Sequence, residues 1–264
     1  MKPTLRIAAA ILRREPKRAT PRNMHLTGPV RSGRFLKRYE RFFADVELDG
    51  EVVVAHVPNT GSLKTCLFPE ADSIITMSND PARKLKATLH FLKTPTGWVG
   101  VDTGLPNALV HELWREQRRS EWASFKAARR EFKLSKETRL DLVLAPDQTA
   151  LDEGRDLHFI EIKNVTMKEA HNALFPDAET KRGQKHLQEL ILLKQQGFGA
   201  EIVFVVQRQD CQAFAPADAV DPEYGRLLRA AHAAGVTVTA LALAPDFEPT
   251  GHIRLSADSL PVIL

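Results

Sequence analysis

No stretch of this 264-residue sequence is apolar over the roughly 20 residues that a helix needs to cross a bilayer. The expectation is a chain with no membrane partner. Cysteine is nearly absent. Cys66 and Cys211 are the only two, far apart and outside any CxxC pattern. Two such thiols make neither a disulfide framework nor a zinc site. They suit a reducing cytoplasm, where both would act as small buried hydrophobes. The signature loops of several enzyme classes are missing as well. There is no GxSxG, no HExxH, and no GxGxxG at a strand–helix joint. Gly28–Arg34 has the glycine spacing of a phosphate-binding loop, but it lacks the Lys-Ser/Thr ending and contains Pro29. The nine histidines are scattered without ligand spacing. Near the start, Ile7–Leu12 is too short for the apolar core of a signal peptide, and Arg13, Arg14 and Glu15 follow it directly.

Charge is present but unevenly placed. Residues 1–45 carry 12 Lys+Arg against 3 Asp+Glu, while the remainder is net acidic by 5. Residues 83–136 form a second positive region, with 12 basic and 5 acidic side chains. Basic segments on a mildly acidic body point to a polyanionic partner.

Residues 1–33 mix prolines, glycines and charges without a period, and read as a basic extension. From Phe35 onward the pattern is strand-like. Phe42, Ala44, Val46 and Leu48 alternate, Asp49-Gly50 signals a tight hairpin, and Glu51–Val57 returns. Asp72–Met77, Ala87–Lys93 and Trp98–Asp102 complete a set of short strands that suits a small barrel. Helical spacing follows at Asn107–Gln117, and Ser120–Glu131 reads as a second, more basic helix. Strands are expected at Leu140–Leu144 and His158–Val165, joined by a polar turn with Pro146, Asp147 and Gly154. A helix over Thr180–Gln196 stops at Gly197, a strand spans Glu201–Gln207, and Asp221-Pro222 opens a helix that stops at Gly235. Val236–Leu243 is a further strand. Strand–helix–strand order with short joints implies parallel pairing.

The chemistry centres on Asp141, Glu161 and Lys163. Leu140, Leu142 and Leu144 would share one face, leaving Asp141 on the other. Ile160 and Ile162 share a face, so Glu161 and Lys163 point together the opposite way. Two carboxylates from neighbouring strands suit Mg²⁺ or Mn²⁺, and an adjacent ammonium can position water or stabilise phosphoryl charge. Glu131 is a further acid for the metal set, read as lying near a helix end, and the Ile162 carbonyl is a further oxygen. Downstream, Thr180, Arg182, Gln184, Lys185 and His186 crowd a helix start, where exposed amides attract phosphate. Thr180 or Asp177 would cap that helix. On the barrel, Tyr39 framed by Lys37, Arg38 and Arg41 is the best candidate for stacking on a base.

Several motifs make a family likeness specific: Arg34–Asp45 (RFLKRYERFFAD), Pro58–Gly61 (PNTG), Asn107, Arg139–Asp141 (RLD), Glu161–Thr166 (EIKNVT), Phe175–Ala178 (FPDA), Arg182–Leu190 (RGQKHLQEL) and Leu260-Pro261-Val262. Together they resemble the sugar fermentation stimulation protein A family from about residue 30 to the end. The resemblance implies an OB-like nucleic-acid-binding barrel over 34–104. A PD-(D/E)XK nuclease-like α/β domain with a mixed central sheet would follow over 105–264. It implies DNA as partner, with Arg34, Asn59 and Thr60 joining the contacts named above. The nuclease pattern falls on Asp141, Glu161 and Lys163, and its helix-borne acid on Glu131. The first 25 to 30 residues are additional to the usual family length. The expected activity is Mg²⁺-dependent phosphodiester hydrolysis by a cytoplasmic DNA-binding protein. The alternative is a non-catalytic DNA-binding regulator of sugar-metabolism genes. A glycosidase pair is a third reading, opposed by Lys163 between the acids and by the basic arm.

Overall fold

A computed structural model describes residues 26, 29–135, 138–247 and 253–264. The expected basic extension therefore lies almost wholly outside the described residues. Its last part does not: the first strand, β1, spans Val30–Tyr39 and takes in Val30–Gly33.

Five strands close a barrel. They are β1, β2 (Phe43–Leu48), β3 (Glu51–His56), β4 (Asp72–Met77) and β5 (Ala87–Thr94). Their neighbour order is β3-β2-β1-β4-β5, and β3 pairs in parallel with β5 through Ala55↔Ala87 to complete the ring. The β2–β3 hairpin turns on Asp49 (φ +53°) and Gly50 (φ +88°), the two left-handed residues that such a turn needs. Phe35, Ala44, Val46, Ala55, Leu89 and Leu92 fill the interior. A short β6 (Gly97–Gly100) folds back on β5.

The second domain is a mixed six-stranded sheet. In chain order come α1 (Leu105–Arg115), β7 (Ala127–Lys133), β8 (Arg139–Ala145), α2 (Gln148–Glu153) and β9 (His158–Val165). Then follow β10 (Met167–Glu169), β11 (Asn172–Phe175), α3 (Lys181–Gln195), β12 (Gly199–Val206), β13 (Ala213–Pro216), α4 (Pro222–Ala233), β14 (Thr237–Phe247) and β15 (Ile253–Leu260). The sheet order is β15-β14-β12-β9-β8-β7. Strands β9, β12 and β14 are parallel, joined by α3 and α4, and the outer pairs are antiparallel. Strands β10, β11 and β13 make a small separate sheet. The central strand β12 is buried on both faces, which explains its apolar run from Ile202 to Val206.

The two faces carry different cores. Leu187, Leu190, Leu227 and Leu228 of α3 and α4 pack on one side. On the other, Leu109, Val110 and Leu113 of α1 meet Leu142, Leu144, Ile160 and Ile162. Ile74 and Phe91 of the barrel join that second cluster, so the two domains share apolar packing. Cys66 and Cys211 are free and buried. Among the described residues no helix is long and apolar enough to cross a membrane.

Two local expectations are corrected. Ser120–Glu131 is not a helix. A 3₁₀ turn at Ser120–Trp122 leads into strand β7. The Ala-Arg-Glu-Lys content favours helix, but pairing with β8 along the sheet edge overrides that weak preference. The segment between β8 and β9 is not a bare turn. It holds α2, capped by the Asp147 side chain accepting from the Ala150 amide and ended by Gly154.

Candidate active site

Asp141 sits where the alternation of β8 breaks. Leu142 and Leu144 face the α1 side, but Leu140 joins Val143 and Phe159 in the other core, which corrects the expectation that all three leucines share a face. The break has a partner on β7. Glu131, between the pairs Arg130↔Leu142 and Phe132↔Leu140, has φ +52°, a left-handed conformation that kinks an edge strand. The β8–β9 ladder also ends at Leu142↔Ile160. Beyond that point the Ile162 amide donates to Asp141 Oδ2 at 2.8 Å, and Asn107 Nδ2 of α1 donates to Oδ1 at 2.9 Å. Burial and the negative charge of Glu161 push the Asp141 carboxyl up to about 6, against the pull of these donors.

Glu161 is 3% exposed. Its Oε1 accepts from Lys163 Nζ at 2.6 Å and is in close contact with His186 Nδ1 of α3. Burial raises its pKa, but Lys163 and His186 outweigh that and hold the carboxyl below its usual range. Both partners grip the same oxygen. The other, Oε2, is buried and has no partner among the described residues. An orphaned buried carboxylate oxygen is costly unless a cation or donor completes it.

Glu131 does not join this pair. Its side chain is 53% exposed and faces Arg139 at 3.5 Å. It belongs to an edge strand, so the expected third carboxylate is absent. Among the described residues no three His, Cys, Asp or Glu side chains group around a cation position. The site itself holds two acids, the buried Glu161 and the half-buried Asp141.

Several expected nucleic-acid contacts have structural roles instead. His186 is buried against Glu161. Gln184 is buried and donates to both oxygens of Asp221. Thr180 caps α3 by accepting from the Gly183 amide at 3.0 Å, which decides the cap against Asp177. Arg38 donates to the carbonyls of Arg41, Asn59 and Gly61 and holds that loop in shape. Asn59 is buried, donating to the Val101 carbonyl and accepting from the Gly61 amide. Arg34 is exposed, but Glu47 and Glu70 balance its charge. Lys37 lies 3.4 Å from Asp45 and 69% exposed. Tyr39 is 36% exposed, stacks on Phe43 and donates to Asp45. Arg41, Thr60 and Arg182 are exposed, and Lys185 is half-buried.

Asp177 and Arg208 are tie points between the domains that the sequence reading missed. Asp177 Oδ2 accepts from the Ser62 amide at 2.9 Å and from its hydroxyl at 3.3 Å. Gly61 allows this approach, because a Cβ there would lie 2.7 Å from that oxygen. Arg208, 3% exposed, donates to the carbonyls of Thr65 and Thr166 and pairs with Asp210. We expect Gly61→Ala to cost about 1–3 kcal/mol by overpacking. In thermal unfolding, its cost on an Asp177→Ala background should be smaller than on the wild type. Additive costs would show that the loop does not press on Asp177.

A closed OB barrel joined to a mixed-sheet α/β domain, with two acids and a lysine on one sheet, defines the class of protein. The chain matches the SfsA N-terminal OB domain model over residues 36–101 and the sugar fermentation stimulation protein RE domain model over residues 104–249. It belongs to the sugar fermentation stimulation protein (SfsA) family. A homologue from Bdellovibrio bacteriovorus is 47% identical over 249 residues, covering 90% of this chain and 99% of its own. One from Geobacter sulfurreducens is 45% identical, covering 91% and 99%. A solved structure, described as Pyrococcus furiosus SfsA in complex with Ca²⁺, superposes with a TM-score of 0.77 at 27% identity. It covers 91% of this chain and 98% of its own.

Proposed function

We propose that this protein binds DNA and hydrolyses phosphodiesters at a divalent-metal site of the PD-(D/E)XK type. The observation that carries the reading is the unpartnered, buried Glu161 Oε2, on the same sheet as a second, half-buried carboxylate and beside a lysine. Asp141 and Glu161 would hold Mg²⁺ or Mn²⁺, a hard cation that takes few protein oxygens and keeps several waters. The Pyrococcus relative is described with Ca²⁺, which takes the same kind of ligand. The metal, when bound, supplies Lewis-acid polarisation of a phosphoryl oxygen.

The chain's own residues do the rest. The Ile162 amide and Asn107 fix the Asp141 carboxylate from two sides. His186 and Lys163 hold Glu161 by one oxygen and leave the other free. Lys163 Nζ, with donors left beyond its bond to Glu161, orients the attacking water and stabilises charge growing on the phosphoryl oxygens. Exposed Lys37, Arg41 and Arg182, with Tyr39 and Phe42 beside the first two, supply contacts to the phosphate backbone and stacking surfaces.

Two measurements test this. DNA affinity should fall by about tenfold or more between 50 and 200 mM salt, as several phosphate contacts require. Binding that ignores salt would contradict a backbone-reading surface. Mn²⁺ should raise the melting temperature of the wild type in a concentration-dependent way and leave Glu161→Gln unmoved. An equal shift in both proteins would place the metal elsewhere.

A further inference from the structure

A cleft of about 210 Å³ opens where the two domains meet, between the PNTG loop and the β10–β11 hairpin. Its walls include Thr60, Asn164, Met167, Leu174, Phe175 and Asp177. It adjoins the candidate active site along the chain in two places. Asn164 directly follows Lys163 on β9, and Thr103, also on the wall, lies four residues ahead of Asn107, which holds Asp141.

One wall is apolar. Met167 and Leu174 pair across the hairpin, and the Phe175 ring is fixed edge-on against Tyr224 at 5.2 Å. Two polar groups on the lining have a defined role left open. Asn164 Oδ1 is taken by Gln207 Nε2 at 2.6 Å, which leaves Nδ2 as a donor without a partner among the described residues. Asp177 Oδ2 is taken by Ser62, which leaves Oδ1 as an acceptor. A donor and an acceptor, with the Thr60 and Thr166 hydroxyls on the same lining and an apolar wall beside them, match the pairing edge and the face of a nucleobase. The volume is below the range of about 300–1,000 Å³ typical of drug-sized ligands and suits one ring system. Asp177 disfavours a phosphate here, so the backbone would run outside the cleft, towards Lys163.

We propose that this cleft is a subsite for one unpaired nucleobase next to the scissile phosphate. The proposal rests on the DNA-cleaving reading above and sharpens it: the substrate carries at least one base whose pairing edge is not engaged by a complementary strand.

The test uses the full chain in chelator, so that no cleavage intervenes. Three labelled duplexes of equal charge are compared: one fully paired, one with a single bulged dA, and one with an abasic spacer at the bulge. The wild type should bind the bulged-base duplex at least about fivefold more tightly than the other two, the discrimination of one good pair of base contacts. Met167→Trp, which fills the cleft from a half-buried position on its wall, and Asn164→Ala should each erase that difference while keeping the wild-type affinity for the paired duplex. Folding of both variants is checked by circular dichroism. A wild type that ignores the bulged base, or a preference that survives both variants, overturns the subsite and leaves DNA binding standing. Failure to bind any of the three duplexes at 50 mM salt overturns the DNA reading itself, and the subsite with it.

Discussion

Lys163→Ala should lower phosphodiester cleavage by about 10²–10³-fold while changing DNA affinity less than about threefold. The magnitude is that of removing one donor aimed at charge which develops only in the transition state. The asymmetry follows from geometry. Lys163 is buried beside Glu161 rather than set out on the surface, with a side-chain exposure of 12%. On the proposed reading, ground-state binding would be spread over exposed cations such as Lys37, Arg41 and Arg182. Single-turnover cleavage measured beside equilibrium binding separates the two effects. A Lys163→Ala protein that binds weakly but cleaves its bound DNA at the wild-type rate would make Lys163 a binding residue. The mechanism proposed for it would then be wrong.

The second large effect is on stability. The Asp210 side chain is 5% exposed and pairs with two cations, Arg208 at 2.8 Å and Lys168 at 2.7 Å. Removing it leaves the buried Arg208 and the half-buried Lys168 without their counter-ion, and breaking such a pair costs about 3–5 kcal/mol. Asp210→Ala should therefore melt roughly 10 °C lower, given the shift of about 2–4 °C per kcal/mol usual at this size. Arg208 also holds the carbonyls of Thr65 and Thr166, so the loss should loosen the contact between the domains. Burial works against the Asp210 carboxylate, but its hydrogen bonds to Arg208, Lys168 and Thr96 hold its pKa well below the usual range. A carboxyl depressed in the folded state contributes stability that is fully present above its unfolded value of about 3.9 and is lost as the pH falls towards the folded value. The gap between wild type and Asp210→Ala in urea unfolding should thus be widest near pH 7 and narrower at pH 3. A gap that is constant with pH would mean that the charge of Asp210 is not what stabilises the fold.

Local chemistry was the legible part of the sequence. The Asp49-Gly50 turn, the Thr180 cap and the Asp221-Pro222 helix start each depend on residues within four positions of one another, and each is found in the structure. The strand pairing of Glu161 with Lys163 was equally readable, because the period of two puts Ile160 and Ile162 on the far face. Elements decided by distant partners were not. The Ser120–Glu131 stretch has helix-forming residues, and only the β8 edge makes Ala127–Lys133 a strand. The same pairing puts Glu131 on an edge strand rather than at the helix end that its local sequence predicts.

The polar cluster on α3 shows the same limit. Gln184 and His186 look like ligand-facing residues in a basic helix start, yet their partners, Asp221 and Glu161, lie 37 and 25 residues away. One signal was available. His186 is three residues from Gly183 and four from Leu190, on the stripe that the helix buries, so a core-facing histidine in need of an acid partner could have been inferred. Nothing local marks Asp177 or Arg208, whose bonds to Ser62 and Thr65 span 115 and 143 residues.

The most direct test of the central claim is a cleavage panel on the wild-type protein. Labelled single-stranded, duplex and branched DNA, and RNA, are each incubated with Mg²⁺, with Mn²⁺ and with EDTA. The account predicts metal-dependent scission of DNA that EDTA abolishes, strongest where bases are unpaired. Salt-sensitive binding to these substrates with no scission in either metal would contradict the nuclease reading and leave a DNA-binding regulator on the same fold.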